Sequence, residues 1–311
     1  MAQVGRAGIA ALAGLLVVDV ALVALAFRHV QGGDFRTSGS SALPTVGATT
    51  PAAKDPDGEP TEPPEKSEDP EEPAGDYYLI DIGADQAVAR AAVGVCGKGG
   101  GKVELSLDGG ETWKAADLPD AQVILRVAST NADVAQVVAA DQNCGQVTTY
   151  ETANGGGSWE STEGSDGRWH KQSGDTANVH APSGKSLVPC ANGENVVALS
   201  TLSGERAYAM CSDGAILGTS DAGLEWEPQG EVSGATDFDY IDPDIALAVA
   251  PEYEKCAGVA VLKTQDSGES WEQVGCIETE SPGAADISAD GDRAYVSIGT
   301  QVWFSDDGGL S

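Results

Sequence analysis

Apolar side chains follow three regimes along this chain. From Gly8 to Phe27 they form one run of twenty residues, interrupted by Asp19, and a helix of that length spans roughly 30 Å, the hydrocarbon thickness of a bilayer. From Gln31 to Gly75 large apolar residues are nearly lacking. After Asp76 they return as short runs: Leu79-Ile80-Asp81-Ile82, Ile124-Leu125-Arg126-Val127, Val196-Val197-Ala198-Leu199, Thr236-Asp237-Phe238-Asp239 and Ala284-Ala285-Asp286-Ile287. Each is followed by a turn and a second apolar run, such as Ala294 to Ile298. Runs of this length, with few Leu-rich helical periods, predict many short strands and an all-β fold.

Residues 1–30 read as an export segment. Arg6 precedes the apolar run while Arg28 and His29 follow it, so basic residues orient it weakly. An uncleaved single-pass anchor is expected, and the alternative is cleavage near Ala24-Leu25-Ala26 with secretion. The first cysteine is Cys96, so a lipoprotein-type attachment near the N-terminus has no acceptor. Residues 31–75 carry eight prolines and ten acids, a composition that cannot bury enough surface to offset its ordering entropy. It predicts a disordered stalk with a reach on the order of 140 Å at about 3.1 Å per residue.

From residue 76 to 311 the chain repeats. Ser106-Leu-Asp108-Gly-Gly110-Glu-Thr112-Trp113 is echoed by Thr264-Gln-Asp266-Ser-Gly268-Glu-Ser270-Trp271, and more loosely by Thr152 to Trp159 around Asn154 and by Thr219 to Trp226 around Asp221. A fifth copy, around Asp307, stops one residue short of its Trp. These octapeptides resemble the Asp-box, or BNR, motif of sialidases, sortilin-type receptors and photosystem-assembly propellers. The resemblance implies a β-propeller in which each box joins the third and fourth strands of a blade, away from the binding face, so that its residues serve folding. Box-to-box spacings of 46, 67, 45 and 41 fit five four-stranded blades. The long spacing allows either an insertion after Trp159 or a worn sixth blade around Trp169, and the lack of alternation over 160–190 favours the insertion. The last unit lacks a fourth strand, and Asp76-Tyr77-Tyr78 is the candidate to help close the ring.

Six cysteines in an exported β protein read as disulfides. Cys144, Cys211 and Cys256 each lie ten residues before the Asn or Asp of their box, and Cys96 lies twelve before Asp108. Within a propeller these positions, with Cys190 and Cys276 near the connections between blades, all fall on one face. The expected pairs are Cys96 with Cys144, Cys190 with Cys211, and Cys256 with Cys276. Metal ligation lacks a CxxC spacing and a nearby His.

The formal charge of −32 repels phosphate backbones, which excludes nucleic acid as a partner. Abundant Ala, Gly, Asp and Val with little Lys also suggests a bacterial source. A sialidase needs three arginines converging on a carboxylate beside a Tyr-Glu pair, and beyond residue 76 the chain offers only Arg90, Arg126, Arg168, Arg206 and Arg293, without the family's Arg-Ile-Pro signature. His170 and His180 lie in the irregular stretch, with no nucleophile elbow. Acidic pairs such as Asp290 and Asp292 complete no calcium loop. Catalytic, metal and cofactor sites are therefore left unassigned. The expected binding surface is loop-borne: Trp169, His170, Lys171, His180 and Lys185 on the insertion, alongside Lys98 and Lys102. The expected function is a non-catalytic module that binds protein or glycan outside the membrane, tethered by its N-terminal helix, with a sialidase-like exo-glycosidase as the alternative. Deleting 161–185 should then spare the fold and abolish partner capture.

Overall fold

A computed structural model describes residues 36–37, 78–165, 167–172, 177–254, 256–280 and 282–308. The expected membrane span at 8–27 and most of the expected stalk lie outside the described residues. Among the described residues, no helix is long and apolar enough to cross a membrane. The strands form six antiparallel sheets, which follow chain order from inside out except for the outermost strand of the last. Blade 1 comprises Tyr78–Ile82, Val88–Ala92, Lys102–Ser106 and Lys114–Ala115, and blade 2 comprises Val123–Ser129, Ala135–Ala140, Val147–Thr152 and Glu160–Glu163. Blade 3 is three two-residue strands, His170–Lys171, Val179–His180 and Ser186–Leu187. Blade 4 comprises Val196–Thr201, Ala207–Cys211, Ala215–Thr219 and Glu227–Glu231, and blade 5 comprises Asp237–Tyr240, Ala246–Pro251, Val259–Thr264 and Glu272–Ile277. Blade 6 comprises Ala285–Asp290, Arg293–Ile298 and Gln301–Ser305, with Arg36–Thr37 as its outermost strand. The inner strands of successive blades are neighbours around a closed ring.

Two expectations are corrected. The stretch 160–190 holds a sixth blade. It is built around Trp169, which is 3% exposed, stands edge-on to Trp226 at 6.1 Å and donates Nε1–H to the Ser203 carbonyl at 3.1 Å. Strands two residues long leave no period to read; their order comes from the flanking blades. The ring is closed by Arg36–Thr37 pairing with Phe304 and Trp303, whereas Tyr78 begins the inner strand of blade 1.

Second strands are rich in alanine because they are covered on both faces. Ala246 to Ala250 are all fully buried, as are Ala207, Ala209 and Met210. Apolar clusters fill the wedges between blades 1 and 2, 3 and 4, 4 and 5, 5 and 6, and 6 and 1.

Each complete octapeptide forms the turn from third to fourth strand, as the repeat predicts. The first Ser or Thr accepts the Gly amide: Ser106 Oγ from Gly110 at 2.7 Å, and Thr264 Oγ1 from Gly268 at 3.0 Å. The carboxylate accepts the amide two residues beyond that Gly, Asp108 from Thr112 at 2.9 Å and Asp266 from Ser270 at 2.9 Å. In blade 2, Asn154 accepts from Ser158 in the same way. These bonds, led by those of Thr112, hold the Asp108 carboxyl down at about 2. At Gly223 a Cβ would sit 2.2 Å from Leu187 of blade 3, so the turn also presses on the blade before it. Of the fifth copy, Ser305 donates to Asp307 at 2.6 Å; residues 309–311 lie outside the described residues.

The residue before that glycine is also left-handed: Gly109 at φ 73°, Gly155 at 62°, Ala222 at 60° and Ser267 at 62°. A Cβ in that region costs roughly 1–2 kcal/mol. Ala222→Gly should therefore raise the unfolding free energy by about 0.5–1 kcal/mol, after the entropy of the extra glycine is set against it, as denaturant titration would report. Deleting 161–185, which removes most of blade 3, should abolish the cooperative thermal transition rather than spare it.

Candidate functional site

The inner strand of every blade is a sheet edge facing the axis, so its outward N–H and C=O groups need partners beyond the ladder. Neighbouring blades supply them. Asp81 of blade 1 accepts the Ser129 amide of blade 2 at 2.6 Å. Arg126 of blade 2 donates to the Trp169 carbonyl at 3.0 Å and to Thr201 of blade 4 at 2.8 Å. Lys171 of blade 3 donates to the Val197 carbonyl of blade 4 at 2.7 Å. Ser200 of blade 4 accepts the Tyr240 amide and donates to Asp239 of blade 5. Asp237 and Asp239 of blade 5 accept the Ile287 and Ala289 amides of blade 6 at 2.8 and 3.0 Å. Asp286 and Ser288 of blade 6 accept the Ile80 and Ile82 amides of blade 1 at 2.5 and 3.2 Å. This belt lines an axial channel of about 290 Å³.

Burial shapes the charges in the belt. It pushes the Asp81 carboxyl up to about 6, against the pull of the Ser129 amide and Arg126, and the Asp239 carboxyl up to about 7. It lowers Lys171 and Arg126, which the nearby carboxylates oppose. The channel is lined by one arginine, Arg126, and by no glutamate among the described residues. Arg90 lies elsewhere, over the Trp113 ring at 4.0 Å, and Arg293 bonds Asp290 and the Gly83 carbonyl. The three converging guanidiniums of the glycosidase reading are not assembled there.

The second candidate lies on one end of the ring. Because successive strands are antiparallel, the connections from second to third strand and from blade to blade open onto the same face. All three disulfides lie there: Cys96–Cys144 ties the loops of blades 1 and 2, Cys190–Cys211 ties the link between blades 3 and 4 to blade 4, and Cys256–Cys276 closes a loop within blade 5. These are the expected pairs. Beside Cys96 a groove of about 370 Å³ runs along blade 1, its apolar lining made by Val103, Ala116, Leu118 and Ile124 together with the exposed Val95. Gly99, Gly100 and Gly101 also line it, with Lys102, the Arg90–Glu104 pair at 2.7 Å, and Thr300 of blade 6. Arg90 donates to the Thr300 carbonyl at 3.0 Å, crossing from blade 1 to blade 6.

The expected binding residues do not form one patch. Lys98 and Lys102 are exposed at or beside the groove, and Lys185 is exposed on the same face at blade 3. Trp169 and His170 are buried at 3% exposure, and Lys171 lines the channel; His170 and Lys171 form the inner strand of blade 3 and Trp169 leads into it, so none of the three is an exposed loop contact. His180 is half-buried, stacked on His170 at 4.7 Å. The channel groups Asp81, Asp237, Asp239, Asp286 and Ser288 were missed, though their signal is visible: each alternates with apolar neighbours in a short strand.

No family model and no curated protein matches this chain. Among solved structures it is similar to YCF48 from Cyanidioschyzon merolae, at 12% identity and a TM-score of 0.44 over 73% of this chain and 78% of that one. It is similar also to YCF48 bound to D1 peptide (14%, 0.40, 73% and 77%) and to the RRP9 WD40 repeats (9%, 0.46, 73% and 78%). At such identities and scores the likeness assigns neither a ligand nor a reaction.

The belt has a pH signature. Asp81 and Asp239 are raised in the folded state, so their stabilising contribution is complete below about pH 4 and is lost as pH rises through 6 to 7. His170, lowered by burial to about 4, acts oppositely: its contribution is complete above the ordinary value of 6.5 and is lost as pH falls through 4. Two raised acids outweigh the one lowered histidine, so the melting temperature should fall by on the order of 5 °C as pH rises from about 4 to 8. Asp239→Asn should flatten that decline in a calorimetric pH series.

Proposed function

We propose that this chain is a non-catalytic binding propeller of the Asp-box type, held outside the cytoplasm by its N-terminal apolar segment and engaging a protein through the disulfide-pinned face. The observation that carries the reading is the blade 1 groove: aliphatic side chains and a run of glycines lining a cleft beside the loops tied by Cys96–Cys144. Loops ordered in advance spare a ligand the cost of ordering them, and clefts with an apolar lining and a few polar groups are where ligands bind. A peptide suits this lining better than a glycan. The groove combines aliphatic side chains and backbone with the charged Arg90, Lys102 and Glu104, and among the described residues its lining holds no aromatic ring on which a sugar could stack. Disulfides accord with an oxidising compartment. The octapeptide turns occupy the opposite face with their polar groups bonded to one another, in keeping with a scaffold role.

The test is cross-linked capture from native membranes with the full chain as bait. Ala116→Arg, which fills the groove, should reduce capture of the principal partner about tenfold, a loss of about 1.4 kcal/mol, at unchanged melting temperature. Lys185→Glu, at blade 3 on the same face, should leave capture intact. Equal capture by both variants would place binding elsewhere on the molecule.

A further inference from the structure

Charge is spread unevenly around the channel. The inner strands of blades 2 and 3 carry the cations Arg126 and Lys171, and that of blade 4, Val196–Thr201, has no titratable side chain. The carboxyls are on blades 1, 5 and 6. Blade 6 is flanked by them on both sides: Asp237 and Asp239 reach it from blade 5, and Asp286 reaches from it to blade 1. Asp237 and Asp286 are both buried, at 7% and 5% exposure; Asp237 accepts the amide of Ile287, the residue next to Asp286, and the two side chains meet in the channel.

Two carboxyls in that contact need one proton between them, since two bare carboxylates repel and neither can donate. Each also accepts a backbone amide across a seam, Asp237 between blades 5 and 6 and Asp286 between blades 6 and 1. We infer that the Asp237–Asp286 pair is a proton-operated latch on blade 6: while the two share a proton both flanking seams stay closed, and when it leaves the blade loosens from its neighbours. Among the described residues, the other charged or titratable groups lining the channel with the pair are Asp81, Arg126, His170, Lys171, Asp239, Tyr240 and Asp290. Lys171 favours the ionised form of both acids, and burial outweighs it, raising both. With folded values above the ordinary one, the closed latch belongs to the acid side and is lost as pH rises. Blade 6 is also the blade whose outermost strand comes from distant Arg36–Thr37, and its Thr300 forms one wall of the blade 1 groove.

Hydrogen exchange read by mass spectrometry on the full chain, corrected for the pH dependence of intrinsic exchange, tests this. Between roughly pH 5 and pH 8, amides of residues 285–298 and 78–82 should lose about tenfold in protection, one pK unit's worth, relative to residues 207–219 of blade 4. A constant ratio between the two regions would overturn the latch. Asp286→Asn keeps an acceptor for the Ile80 amide and supplies a permanent donor to Asp237, so it should hold the acid-side protection at both pH values; a variant that keeps the wild-type response would refute the role of the pair. Asp237→Asn makes the same test from the other partner.

Discussion

A ring of sheets with one edge of each turned towards the axis must satisfy the backbone groups on those edges, and this protein does so with side chains lent by the adjoining blade. The ladder bonds inside a blade cannot reach across a seam. Asp81, Arg126, Lys171, Ser200, Asp237, Asp239, Asp286 and Ser288 can. Burying such groups is costly unless they are bonded, so the channel is tolerable only when all six blades are in place. That dependence makes closure cooperative, and it explains why a blade as small as blade 3 persists. Its ladder is slight, but Lys171 and the Trp169 carbonyl are partners that blades 2 and 4 need.

The ends of the ring have separate work. One carries the octapeptide turns, each closed on itself by Ser or Thr, Asp or Asn, and two successive left-handed residues. The other carries the disulfides, which pin loops too irregular to hold themselves. Apolar wedges between blades give most of the burial, while the polar belt and the cross-links determine which blade meets which. A groove on pinned loops can hold its shape without ligand, whereas the side chains lining the channel are already engaged across the seams.

Much of the architecture was legible because it rests on local signals. The four complete octapeptides mark the turns from third to fourth strand, since Asp108 or Asp266 bonds residues within its own turn. The cysteine pairs followed from positions within the repeat. The weak signals were those of blade 3, whose strands are two residues long, and of the strand at Arg36–Thr37, which sits in a stretch whose composition disfavours order. The candidate binding residues divided for the same reason. Lys98 and Lys102 belong to a loop that the repeat locates, while Trp169, His170 and Lys171 lost their expected exposure once a blade formed around them.

By itself the sequence determined the fold class, the repeat, the turn chemistry and the disulfide face, because each depends on residues close along the chain or fixed by the period. Tertiary structure alone decided the number of blades, the strand that closes the ring and the roles of the buried charges. Those depend on contacts across seams, where Asp237 meets Asp286 and Arg126 reaches Thr201, and no local pattern says which distant edge a side chain will be called upon to satisfy.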